Sequence, residues 1–133
     1  MKGINGDRLA VIRPLDTEAV RSDLKAVYDR GIRSLAVVLM HAYAWPDHEL
    51  AIGRLARDMG FTQVSLSSRV MPRVKLVARG DTTMVDAYLN PHIRTYLDNF
   101  KCGFKDKLVH TGLLFMQSDG GLAGAEGFTG SRP

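Results

Sequence analysis

Three residues able to move protons or bind a metal, His41, His48 and Glu49, fall within the string HAYAWPDHE. An imidazole titrates near neutrality and a carboxylate is charged there, so the set suits acid–base work or a divalent cation. The spacing is not HExxH, because Leu50, Ala51 and Ile52 follow His48-Glu49. A plainer reading packs His41 at a strand end and puts His48 and Glu49 in a first helical turn, where Glu49 favours the helix dipole. The residues alone leave both readings open.

Two further clusters could hold an anion. Ser118, Asp119, Gly120 and Gly121 follow an apolar run, and glycines let backbone N–H groups approach a ligand closely. A nucleophile elbow is excluded, since Met116 stands where its first glycine belongs and too little chain follows Ser118; a plain tight turn remains open. Arg79, Thr82, Thr83 and Asp86 gather where a long helix is expected to begin, a position that attracts phosphate. Capping by Asp81 or Thr82 would explain the same residues without a ligand. Cys102 reads as an incidental thiol, and Trp45 as a cover over the core. There is no Walker A loop, no G-x-G-x-x-G and no close cysteine pair.

The elements that must position these groups alternate. Leu9–Ile12 reads as a short strand closed by Pro14. Asp16 caps a helix on which Val20, Leu24, Val27 and Tyr28 recur, with Leu15 and Val20 as a hydrophobic staple and Gly31 as the stop. Ser34–Leu39 reads as a strand covered on both faces. Pro46 and Asp47 open a second helix lined by Ile52, Leu55, Ala56 and Met59, ended by Gly60, and Thr62–Leu66 is the next strand. This β-α-β-α-β order predicts parallel strands. The stretch 67–80 reads as a loop with one short strand at Val74–Val77. A long helix starts near Asp81–Thr83, its apolar stripe Val85, Leu89, Ile93, Tyr96, Leu97 and Phe100 keeping phase across Pro91, so one kinked helix is expected. Gly112–Gln117 reads as a last strand, with no partner in the glycine-rich tail.

Composition bounds the classes. The 133 residues suit one domain or a piece of a larger one, and 45% apolar with 24% charged is globular. Leu35–Met40, the longest apolar run, is far short of the ~20 residues of a membrane span, so no membrane is expected. Net charge is +4, but Lys and Arg are scattered, and no nucleic-acid partner is expected. A single cysteine and a polar start without a signal peptide suit the cytoplasm.

Several strings together resemble the ATP-dependent 5-oxoprolinases and the related hydantoinase A (N-methylhydantoinase) family. They are RPLD (Arg13–Asp16), GIRSLAVVLMHAYAWPDHE (Gly31–Glu49) and ARDMGFTQVSLSSRVMP (Ala56–Pro72), then RGDTTMVDAYLNP (Arg79–Pro91) and LFMQSDGGL (Leu114–Leu122). LAVVLMHAY and FMQSDGGL look closer to the oxoprolinase branch. The resemblance implies an α/β fold like the actin and sugar-kinase ATPases, in which two ribonuclease-H-like domains close on the nucleotide. It implies hydrolysis of a cyclic amide, 5-oxo-L-proline to L-glutamate, after ATP phosphorylates the ring carbonyl oxygen, with Mg2+ or a similar cation required. A hydantoin-type substrate is the alternative.

On the same resemblance the family's first phosphate loop would lie upstream of Met1, and its second would follow Ser131. The chain is therefore expected to be an internal slice that does not bind ATP productively alone. Residues 1–80 would end the N-terminal domain, 81–108 form a connecting helix, and 109–133 open the second domain. Partners would be the remainder of the oxoprolinase chain, a small cyclic amide and, at full length, further copies in a homo-oligomer. His41, His48 and Glu49 match the family's H-x-Y-x-x-P-x-H-E pattern, so His41 or Glu49 would meet substrate or metal. Ser118 to Gly121 match a second-domain strand end and, with Arg79, Thr82 and Thr83, would serve the nucleotide side. The runner-up is a non-catalytic truncated product or interaction piece of such an enzyme.

Overall fold

The computed structural model describes residues 2–4, 6, 8–104, 112–116 and 120–124. Helix α1 (Thr17–Asp29) starts where the sequence places it: the Asp16 carboxylate accepts the Ala19 N–H at 3.1 Å. Gly31, at φ +89°, turns the chain into strand β1 (Ser34–Val37). Helix α2 (Asp47–Asp58) follows Pro46, and Gly60, at φ +97°, leads into strand β2 (Gln63–Leu66). The two strands are parallel, with Ser34 opposite Gln63 and Val37 opposite Leu66. Helix α2 is the crossover that a parallel pair requires.

Strand alternation divides the labour of the two sheet faces. Leu35, Val37, Val64 and Leu66 pack with Leu24 of α1 and with Ile52 and Ala56 of α2, forming the core together with Phe61. Gly53 lets α2 lie close to this face, since a methyl there would stand 3.0 Å from the Leu66 methyls. The opposite face carries Ser34, Ala36, Gln63 and Ser65 and meets the long helix α4 (Leu76–Cys102).

That helix runs unbroken through Pro91, the single helix expected. Proline lacks the N–H that would bond the carbonyl four residues back, which is Ala87. The Ser34 hydroxyl donates to the Ala87 carbonyl instead, so a strand side chain replaces the missing helical donor. Ser34→Ala is expected to cost about 1–3 kcal/mol by leaving that carbonyl unpaired. In a Pro91→Ala background, where the N–H returns, the same change is expected to cost little; paired urea titrations measure the difference.

Several sequence expectations need correction. Leu9–Ile12 is not a strand: its backbone joins no ladder, and Ile12 is 98% exposed, so it has no face to bury. An isolated antiparallel bridge joins Lys2 to Arg8 just before it. The order among the described residues up to β2 is thus α-β-α-β. No strand forms at Val74–Val77; a short helix α3 (Ser67–Val70) fills the stretch 67–70, and α4 begins at Leu76, more than a turn before Asp81. Lys75 takes the N-cap position with no side-chain bond, so neither Asp81 nor Thr82 caps the helix. The expected apolar stripe is only partly inward, with Leu97 buried and Leu89 and Ile93 half-buried but Val85 and Tyr96 exposed, whereas the polar Arg79, Thr83, Asp86 and Asn90 are all buried. Strand β3 (Leu114–Met116) has a partner after all, pairing antiparallel with β4 (Leu122–Gly124).

Candidate functional site

The turn after β1 brings His41 and His48 to one cleft. Its backbone is closed by the His41 carbonyl, which accepts the Ala44 and Trp45 N–H groups at 3.0 Å each. The cleft has a volume of about 450 Å³ and lies between the 9–13 segment and Leu39, Met40, His41, Ala42, Trp45 and His48. His41 is exposed, its ring edge-on to Tyr43 at 6.3 Å, and His48 is half-buried in the first turn of α2. Apart from Arg13 and the two imidazoles, the lining side chains are apolar. Such a pocket suits a small molecule with an apolar body and a few polar atoms. Trp45 lines this cleft rather than covering the core.

Glu49 points the other way. It is fully buried, and its carboxylate accepts the Leu39 N–H at 2.8 Å, the Ser67 hydroxyl at 2.6 Å and the Ser68 N–H at 2.9 Å. Ser67 in turn accepts from Arg79 Nε at 2.9 Å, so one hydroxyl joins two buried charges. Arg79, also fully buried, donates through Nη1 to the Arg73 carbonyl at 2.6 Å and through Nη2 to the Leu39 and Met40 carbonyls. Its guanidinium lies 5.9 Å from the Tyr43 ring centroid, within cation–π range. The pair thus clamps the wall of the cleft from behind (Leu39 and Met40) and leaves His41 outside the clamp.

A parallel lattice lies along α4, where Gln63 Nε2 donates to Ser65 Oγ at 2.9 Å and Ser65 Oγ to Asp86 Oδ2 at 2.6 Å. The histidine–glutamate string is therefore split between two tasks, because a helix's first turn points successive residues in different directions. Sequence reasoning missed Ser67, Ser65 and Ser34. The available signal was the polar series Arg79, Thr83, Asp86 and Asn90 at helical spacing, which marks a face as surely as an apolar one does.

The other candidates fall apart from the cleft. Thr83 is buried and donates to the Arg79 carbonyl at 2.6 Å, while Thr82 donates to the Ala78 carbonyl at 2.9 Å. Arg79 donates to the Arg73, Leu39 and Met40 carbonyls, all outside the helix, so in this structure all three side chains are already hydrogen-bonded within the protein. Gly120, at φ +85°, and Gly121 stand in the connection between β3 and β4, away from the cleft lining; Ser118 and Asp119 lie outside the described residues. Among the described residues no group of three His, Cys, Asp or Glu side chains could hold a metal ion. Nor, among them, is any helix long and apolar enough to cross a membrane.

Comparison with known proteins locates this architecture. The hydantoinase/oxoprolinase N-terminal region matches residues 2–60, and the hydantoinase/oxoprolinase region matches residues 79–132. 5-Oxoprolinase 1 of Arabidopsis thaliana is 49% identical over 132 residues, which are 99% of this chain and 10% of that protein. The 5-oxoprolinase of Saccharomyces cerevisiae is 42% identical over 98% of this chain and 10% of its own length. The chain thus spans about a tenth of the curated relatives it matches. The crystal structure of the ATP-dependent caprolactamase from Pseudomonas jessenii superposes with a TM-score of 0.77 at 24% identity, covering 89% of this chain and 18% of that one, which supports the same fold. With both regions matched in order and the parallel α/β unit shared, the chain belongs to the hydantoinase/oxoprolinase family.

Proposed function

We propose that this chain is a segment of an ATP-dependent cyclic-amide hydrolase of the 5-oxoprolinase type, and that its cleft receives the cyclic amide. The observation that carries the reading is the meeting of His41 and His48 in one cleft that is apolar apart from Arg13, just beyond the C-terminal end of β1. Loops at that end of parallel strands are where α/β folds gather ligands. An imidazole N–H donates to a ring carbonyl, or the unprotonated imidazole nitrogen accepts a ring N–H, and Trp45 with Leu39 takes the ring methylenes. Glu49 and Arg79 hold that wall in place and do not touch the substrate.

Within the whole enzyme, ATP and Mg2+ supply the activation of the amide carbonyl. No step is assigned to them in this segment, because Arg79, Thr82 and Thr83 are otherwise engaged. By the same reading the segment alone is inactive and works in the cytoplasm, and the complete chain forms a homo-oligomer. The lobes are ribonuclease-H-like, with residues 1–80, 81–108 and 109–133 retained in order as lobe end, crossing segment and second lobe, the described helix of that segment running from Leu76 to Cys102. 5-Oxo-L-proline is the substrate favoured by the 49% relative named 5-oxoprolinase 1.

The test is His41→Ala in a full-length family enzyme that carries this histidine. Loss of one substrate contact is expected to lower kcat/KM for the cyclic amide about tenfold or more, with the KM for ATP unchanged. Unchanged turnover and unchanged KM for the amide would remove His41 from the site.

A further inference from the structure

The His41 cleft is electrostatically one-sided. Among the residues that line it, Arg13 alone holds a permanent charge, and there is no aspartate or glutamate. The acids that flank its two walls in sequence are placed elsewhere. Asp16 caps α1, its carboxylate 3.1 Å from the Ala19 N–H, and Glu49 is buried on Leu39, Ser67 and Ser68. Asp47, although next to His48, is exposed and outside the lining. Arg13 itself is exposed, and among the described residues it makes no hydrogen bond and no ion pair. The same segment borders a second hollow lined by Lys2, Gly6, Arg8, Leu9 and Ala10, so the charges that line this neighbouring hollow are positive too.

A guanidinium presents parallel N–H groups, a fork that matches the two oxygens of a carboxylate. Fixed positive charge beside apolar walls attracts an anion more strongly than the same charge in open water. Arg13 belongs to the 9–13 segment, whereas both imidazoles come from the facing wall, between Leu39 and His48. A small ring held between those walls has hydrogen-bonding groups on one side and a cation on the other. In 5-oxo-L-proline the lactam carbonyl carbon and the acid-bearing carbon flank the ring nitrogen, so its two polar ends also point apart. We propose that Arg13 determines the specificity of the cleft by pairing with a carboxylate on the cyclic amide, so that the site prefers a ring acid to an uncharged lactam of the same size. This assignment rests on the cleft being the amide site, and it adds the group that reads the substrate's charge.

The test uses a full-length family enzyme with arginine at the matching position. It compares the KM for 5-oxo-L-proline with the inhibition constant of 2-pyrrolidinone, the same ring without its carboxylate. Arg13 is exposed, so its variants are expected to keep the parent's thermal midpoint. Arg13→Gln is expected to raise the KM for the ring acid about ten- to hundredfold, the range for losing a hydrogen bond to a charged group. The inhibition constant of the neutral ring is expected to move far less. Arg13→Lys, which keeps the charge and loses the fork, is expected to recover part of the difference. An unchanged KM for the acid would overturn the proposal, and so would an equal loss for both rings, which would mark a structural role. His41→Ala separates the two readings. If that variant loses amide binding while Arg13→Gln does not, the cleft stands and the Arg13 assignment falls; if neither variant has an effect, both fall.

Discussion

Arg79→Met is expected to destabilise the fold by about 3–5 kcal/mol, the usual result of removing one member of a buried charged network. The substitution nearly preserves volume, so the loss comes from polarity. The carbonyls of Leu39, Met40 and Arg73 lose their donor, and Ser67 no longer passes positive charge toward the Glu49 carboxylate. Against the ~5–15 kcal/mol typical of a whole domain, that is a large share. The thermal midpoint should fall by roughly 10–20 °C, followed by circular dichroism. Arg79→Lys should recover only part, because an ammonium cannot reproduce a planar fork that serves four acceptors. A midpoint for Arg79→Met within about 2 °C of the parent, against a shift of several degrees per kcal/mol, would show the network to be energetically idle.

Phe61→Ala is expected to cost a similar ~3–5 kcal/mol, for an apolar reason. Phe61 is buried beside Leu24, Ile52 and Leu66, and its ring meets Tyr28 edge-on with centroids 5.4 Å apart. Truncation leaves a cavity and removes an aromatic contact that holds α1 to the sheet. Phe61→Leu should cost under ~1.5 kcal/mol, since most of the volume stays. Urea titrations followed by Trp45, the single tryptophan, measure both changes. The alanine variant should move the midpoint while leaving the slope unchanged. Equal midpoints for the two variants would mean that the ring fills no tight site.

Local rules carried the first half of the chain. Asp16, Gly31 and Gly60 act through their own backbone neighbourhood, so α1, α2 and the two parallel strands were legible within a residue or two. The Leu9–Ile12 run failed because a strand exists only with a partner edge, and nothing in four residues says whether one is present. The long helix illustrates a different limit. Its existence and its passage through Pro91 followed from periodicity, but two stripes share the same period. Hydrophobicity found Leu97 and the half-buried Leu89 and Ile93 but not the polar side, because the sheet face that α4 meets carries Ser34 and Ser65 rather than aliphatic side chains.

The candidate site divides along the same line. Chain order alone put His41, His48 and Glu49 just after the central strand, and the quoted strings carried the family resemblance that both matched regions bear out. It took the packed chain to show that the histidines line a cleft while Glu49 turns inward to meet Ser67, and that Arg79 is buried on Ser67 and interior carbonyls. The reason is physical. A residue's type and its neighbours set its backbone state and its charge, but a buried charge is tolerable only where distant groups supply its hydrogen bonds. Those groups, Ser67 and the carbonyls of Leu39, Met40 and Arg73, come together only once the chain has folded.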